Sequence, residues 1–250
     1  MSATQDQTIV LITGANGGIG FELASQLLQD PSKHVLLGAR SPEKGNAAVS
    51  ELQSRKLPGT VEFLKIDVSD EASIKEAAKE VEAKYGRLDA LVNNAGVASV
   101  GDESTLYRRM QEAYLTNTVG PVIVTKSFAP LLKKSAGTPR IVNLSSISGS
   151  IAVRLHPSDP TYELDDIQYR ASKAALNMVT ACQAVDYGKL GWKVFSYCPG
   201  LTTSNMSDFN KPENGAKPTS DGARPIVDML NGKRDAEHGA FLHEHGQHPW

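Results

Sequence analysis

The chain has 250 residues, 40% of them hydrophobic and 22% charged, with a formal net charge of −2. That balance excludes the basic footprint of a nucleic-acid or anionic-membrane binder, and two cysteines, Cys182 and Cys198, supply no disulfide framework. The start is polar rather than signal-like, and no apolar run approaches the roughly 20 residues of a membrane span, so a cytoplasmic location without membrane attachment is the expectation.

Short apolar runs alternate with helix-period segments along the chain. The predicted strands cover 8–13, 34–40, 61–67, 89–94, 140–146, 193–198 and 240–244, and the predicted helices 18–29, 43–56, 71–85, 103–134, 167–189 and 220–231. Near-continuous apolar strands separated by helices predict a parallel sheet covered on both faces. With no repeat, low-complexity tract or linker, residues 1–250 read as a single α/β domain. Two segments break the rhythm, 147–168 and 203–222. Both follow strands, where open α/β sheets place their ligands. The Gly and Pro content of 203–222, without apolar periodicity, predicts a mobile lid.

The first strand ends in "TGANGGIG", residues 13–20. Gly14, Gly18 and Gly20 permit a tight strand-to-helix turn and close approach to a pyrophosphate, which the N–H groups of the next helix attract. The second strand ends at Arg40, twenty residues beyond Gly20. A site preferring NAD usually has an acid there; a guanidinium pairs instead with the 2′-phosphate of NADP. Further on, "YRASK" puts Tyr169 and Lys173 one turn apart on one helix face. An ammonium beside a phenol favours the phenolate, so the pair predicts an acid/base device with a lowered tyrosine pKa.

Pro121 stands four residues after Asn117 in the predicted helix 103–134. Proline has no N–H for the Asn117 carbonyl. Either the helix kinks and leaves that carbonyl to a water, or a new helix starts at Pro121 after a break. Four of the six histidines, His238, His243, His245 and His248, fall near the end of the sequence. No cysteine or clustered acid completes a metal site around them, so a polar strand edge is the expectation. Cys198 reads as a buried, inert thiol.

In this order the motifs resemble the short-chain dehydrogenase/reductase family over nearly the whole chain. They are "TGANGGIG", "DV" at 67–68, "NNAG" at 93–96, "YLTNTVG" at 114–120, "IVNLSS" at 141–146, "YRASK" and "CPG" at 198–200. Within the family the chain is most similar to carbonyl reductases. The resemblance implies a Rossmann-type, doubly wound, seven-stranded parallel sheet in the order 3-2-1-4-5-6-7. It implies NADP(H) lying along Gly14, Asn16, Gly18, Ile19, Gly20 and Arg40, with its adenine at Asp67 and Val68. Asn94, Ala95 and Gly96 would stand near the adenine ribose. Tyr169 and Lys173 would meet the nicotinamide ribose, and Pro199, Gly200, Thr202 and Ser204 the carboxamide. Tyr169 would exchange a proton with the substrate oxygen, Lys173 would lower the Tyr169 pKa, and Ser146 rather than Ser145 would hold the carbonyl oxygen. Asn117 would anchor a water that refills the proton through Lys173.

The implied activity is reduction of a ketone or aldehyde by NADPH. An NADP-dependent alcohol dehydrogenase running oxidatively, or a non-catalytic nucleotide sensor, are the alternatives. The implied partner is a small molecule. Ser146 and Tyr169 are 23 residues apart, a longer separation than the family usually has. The insertion at 147–168 holds Arg154, His156 and an acidic run, and is either a pocket wall or a surface loop. Some carbonyl reductases with a longer insertion are monomeric, so monomer, homodimer and homotetramer stay open.

Overall fold

The computed structural model describes residues 7–98, 105–157, 162, 166–207 and 209–250. Their strands form one sheet in the order β3-β2-β1-β4-β5-β6-β7-β8. The first seven are β1 (Thr8–Ile12), β2 (Lys33–Ala39), β3 (Thr60–Lys65), β4 (Ala90–Asn93), β5 (Arg140–Leu144), β6 (Lys193–Tyr197) and β7 (Phe241–His243). They pair in parallel, as the apolar strand pattern predicts. An eighth strand, β8 (Gly246–Gln247), was not expected; it folds back antiparallel on β7. Two residues are too few to carry a periodic signal.

Among the described residues eight α-helices join the strands: α1 (Gly18–Leu27), α2 (Pro42–Ser54), α3 (Glu71–Tyr85), α4 (Leu106–Tyr114), α5 (Gly120–Leu132), α6 (Ile151–Arg154), α7 (Ile167–Gly188) and α8 (Thr219–Leu230). Alternation along each strand divides the core into two layers. Val10 and Ile12 of β1 pack with Leu23, Leu27, Ile226 and Met229 under α1 and α8. Ile9 and Leu11 pack with Ile74, Val81, Phe128 and Leu131 under α3 and α5. Local chemistry sets the helix ends. Ser41 caps α2 by accepting from the Lys44 N–H, with Pro42 in the first turn. Asp70 caps α3, which stops at Gly86 in the left-handed region, φ 70°.

Two expectations need correction. The segment 103–134, insofar as it is described, is not one regular helix: between α4 and α5 the chain widens into a π-helical turn, Leu115–Val119, where the Gly120 N–H reaches the Leu115 carbonyl. Pro121 neither breaks the helix nor opens a separated one; it lies buried in the first turn of α5. The insertion is not loop throughout, since Ile147–Gly149 forms a 3-10 turn and α6 follows. Much of its acidic run lies outside the described residues. Among the described residues no helix is long and apolar enough to cross a membrane.

Candidate active site

Because all seven main strands are parallel, their C-terminal ends lie on one rim, and every predicted site residue follows such an end or lies on a helix packed beside it. At the end of β1, Gly14 has φ 63°, and a Cβ there would stand 2.8 Å from Ala95 Cα. Only glycine lets the two loops approach so closely. Thr13, which sequence reasoning missed, clamps the same contact: its hydroxyl accepts from the N–H groups of Asn94 and Ala95, each at 3.1 Å. Asn94 answers with Nδ2, donating to the carbonyls of Thr13 at 2.8 Å and Gly14 at 3.1 Å. Gly18 is also left-handed, φ 57°, and no side chain caps the α1 N-terminus that follows it.

Next to this turn a groove of about 370 Å³ is lined by Asn16, Gly17, Phe21, Lys44, Ala47, Ala48 and Glu51. Ile19 packs inward against the core. Arg40 stands exposed at the neighbouring end of β2, which the Ala15 N–H to Gly38 carbonyl bond ties to the glycine turn. Lys44 is the second cation here. Its place after the Ser41 cap was its only sequence signal. Asp67 spends one carboxylate oxygen on the N–H and hydroxyl of Ser69, and Val68 is buried beside it.

The catalytic candidates converge one loop away. A Cβ on Gly96 would be 3.3 Å from Asn117 Oδ1, 3.5 Å from Lys173 Nζ and 3.7 Å from Met206 Cε. Asn117 is fully buried; its Nδ2 donates to the Val97 carbonyl at 2.8 Å and to Ser172 Oγ at 2.9 Å, and its Oδ1 accepts from the Val97 N–H. Its side chain is therefore held in place by Val97 and Ser172. The two serines after β5 separate cleanly. Ser145 is 4% exposed and donates to Asn177 Oδ1 at 2.6 Å, whereas Ser146 is more open and lies beside the Tyr169 phenol, where it pulls the phenol's pKa down. The expectation of Ser146 thus gains a physical reason.

The lysine does not act on the tyrosine as expected. Lys173 Nζ donates to the Leu144 carbonyl at 2.8 Å and lies 5.7 Å from the centre of the Tyr169 ring. Burial pushes the Tyr169 phenol up to about 12, with the Ser146 hydrogen bond pulling weakly the other way. Burial also brings the Lys173 ammonium down to about 8. Desolvation of the charged form is the largest cause of both shifts.

Beyond β6, Cys198 is buried and its thiol is pushed up by burial; Sγ accepts from the N–H groups of Ile147 at 3.1 Å and Gly200 at 3.4 Å. Thr202 turns inward, donating to the carbonyls of Pro199 and Gly200. Ser204 comes over the glycine turn, its Cβ 3.6 Å from where a Gly18 Cβ would stand. His243 and His248 lie ring to ring at 4.5 Å on the last strands, and the described residues hold no cluster of metal-binding side chains. The donor set fits a dinucleotide: a glycine cradle at an uncapped helix end, two cations beside it, and a hydroxyl–phenol–ammonium group one loop away.

Comparison with known proteins agrees with this geometry. A model of the short chain dehydrogenases matches residues 8–215. The short-chain dehydrogenase anuI of Penicillium roqueforti is 37% identical over 229 residues, covering 90% of this chain and 89% of that protein. The NADPH-bound carbonyl reductase from chicken fatty liver superposes with a TM-score of 0.80 at 31% identity, over 98% of this chain and 99% of that one. The carbonyl reductase Sniffer of D. melanogaster gives 0.82 at 26% identity, over 98% and 100%.

Proposed function

The chain belongs to the short-chain dehydrogenase/reductase family, and from that premise we propose that it is an NADPH-dependent carbonyl reductase acting on ketones or aldehydes. The observation that carries the reading is the grouping of three side chains: Ser146 beside the Tyr169 phenol, and Lys173 one helical turn on with its Nζ toward Gly96. Bound along the glycine turn, the dinucleotide supplies the hydride. The uncapped N–H groups of α1 would hold its pyrophosphate, and Arg40 and Lys44 would meet its 2′-phosphate. Ser146 donates a hydrogen bond to the substrate carbonyl oxygen and stabilises the charge that develops there. Tyr169, a phenol at neutral pH, gives its proton to the same oxygen. Lys173, held on the Leu144 carbonyl, would be the group to meet the nicotinamide ribose. The raised Tyr169 pKa keeps the phenol protonated at neutral pH, the form that carbonyl reduction uses. The presence of both Tyr169 and Lys173 favours an enzyme over a nucleotide sensor. NADPH bound by the chicken relative supports the cofactor choice. Segment 203–222 is proposed as a lid: Ser204 overhangs the glycine turn, and Thr202 pairs with Lys217 at its hinge. A panel of ketones, aldehydes and quinones, assayed with NADPH and with NADH, tests the reading. Consumption of NADPH in preference to NADH is expected, and no consumption of either would refute it.

A further inference from the structure

Asn177 is one helical turn past Lys173 on α7, 4% exposed, and has no part in the reaction above. Two of the three bonds of its amide reach the serine turn, and the third ties it to β6. Oδ1 accepts from Ser145 Oγ at 2.6 Å and from Ser196 Oγ at 2.8 Å, and Nδ2 donates to the Gly149 carbonyl at 3.2 Å. Ser145 and Gly149 flank Ser146, so one side chain grips the serine turn on both sides. The turn is also pressed onto α7: a Cβ on Gly149 would stand 2.6 Å from the Lys173 carbonyl carbon. Among the described residues, Ser146 Oγ itself has one hydrogen bond, accepted from the Ser148 N–H at 3.2 Å, and lies beside the Tyr169 phenol. Its place is therefore inherited from the residues beside it.

We propose that Asn177 is a positioning residue for catalysis, setting Ser146 Oγ against the Tyr169 hydroxyl through Ser145 and Gly149. The proposal rests on the reductase reading. A neutral amide suits the task because it accepts from two hydroxyls and donates to a carbonyl at once. Alanine would leave all three buried groups without that partner. A serine displaced by about 1 Å costs on the order of 100-fold in rate while binding persists.

The test uses Asn177→Ala, Ser145→Ala and the double variant of the full chain. Measured are kcat and KM with a ketone the wild type reduces, NADPH affinity by fluorescence titration, and crystal structures. Each single variant is expected to lose about 10–100-fold in kcat with KM and NADPH affinity within about twofold. The double variant is expected to be no slower than Asn177→Ala alone, since both break one link. Asn177→Asp, which keeps the acceptor, is expected to recover part of the loss. In the Asn177→Ala crystal Ser146 Oγ is expected to leave the Tyr169 hydroxyl. Normal kcat, or kcat and NADPH affinity falling in parallel, would overturn the proposal. So would Ser146 Oγ within about 0.5 Å of its wild-type place. If Asn177→Ala does not fold, Ser145→Ala, which deletes one oxygen, carries the same readouts. The crystal arm needs no substrate: a wild type inert toward every carbonyl would end the reductase reading, while the position of Ser146 would still decide this one.

Discussion

Tyr169 is the residue on which the chemistry turns, and its protonation state sets the pH dependence. With the phenol pushed up to about 12, it stays a proton donor throughout the neutral range. Carbonyl reduction at saturating NADPH is expected to be flat between about pH 6 and 8, whereas alcohol oxidation, which needs the phenolate, should rise close to tenfold per pH unit above neutrality. An oxidation rate that peaks below neutral pH would contradict this. Tyr169→Phe is expected to cut turnover by about three orders of magnitude and leave NADPH affinity intact, as titration would show. At the other end of the site, Arg40→Asp removes one cation and sets a carboxylate near the 2′-phosphate. NADPH binding is expected to weaken by about 2–4 kcal/mol. An unchanged ratio of kcat/KM for NADPH over NADH would refute the assignment. Residue types were legible here because their spacing is chemical: Tyr169 and Lys173 must be one turn apart on any helix. Their electrostatics were not, because the pKa direction depends on burial and on the Leu144 carbonyl that holds Lys173. Asn177 was equally hidden: its partners Ser145 and Ser196 lie 32 and 19 residues away.

The π-helical turn between α4 and α5 is the least regular element near the site, and Pro121 accounts for it. Without an N–H on Pro121 the Asn117 carbonyl has no α-helical partner, and the ladder shifts to the five-residue bond seen at Gly120. Pro121→Ala supplies the missing donor, which would compete for the Asn117 carbonyl. Slower turnover with little change in NADPH affinity is expected from steady-state kinetics and titration; normal turnover would show that the wide turn has no catalytic bearing. For the segment 203–222, limited proteolysis is expected to cut it in the free protein and to be suppressed by NADPH. Equal cutting with and without cofactor would count against a coupled lid. Proline marked the irregularity in the sequence, but the choice among kink, break and π turn depends on packing, with Gly120 close on the Val68 carbonyl. The short helix α6 was illegible for another reason: four residues within a Ser-, His- and Pro-containing stretch have no period to read.

For the molecule as a whole, the sheet order, its parallel sense and the two-layer core were legible because buried parallel strands are written as continuous apolar runs. Only the β8 return lacked a signal. Stability adds a test that does not depend on catalysis. Burial lowers the pKa of His34 and takes His248 down to about 4 from an ordinary 6.5. A histidine depressed in the folded state binds its proton more readily when unfolded. Stability is therefore expected to fall as pH drops from about 6.5 toward 4, where the histidine contribution ends and the carboxylates lowered in the folded state, Glu62 and Glu237 among them, continue the fall. Thermal melts across that window check it, and His248→Gln should flatten the slope. A melting temperature that rises on acidification would contradict the burial of these rings. The central claim is direct hydride transfer to a carbonyl carbon, and the most direct measurement follows the label from NADPH deuterated at C4 of the nicotinamide into a ketone product. Deuterium on the carbinol carbon, with transfer about a thousandfold slower in Tyr169→Phe, is the predicted result. NADPH left unconsumed with every carbonyl offered, or an alcohol formed without the label from either face of the ring, would contradict it.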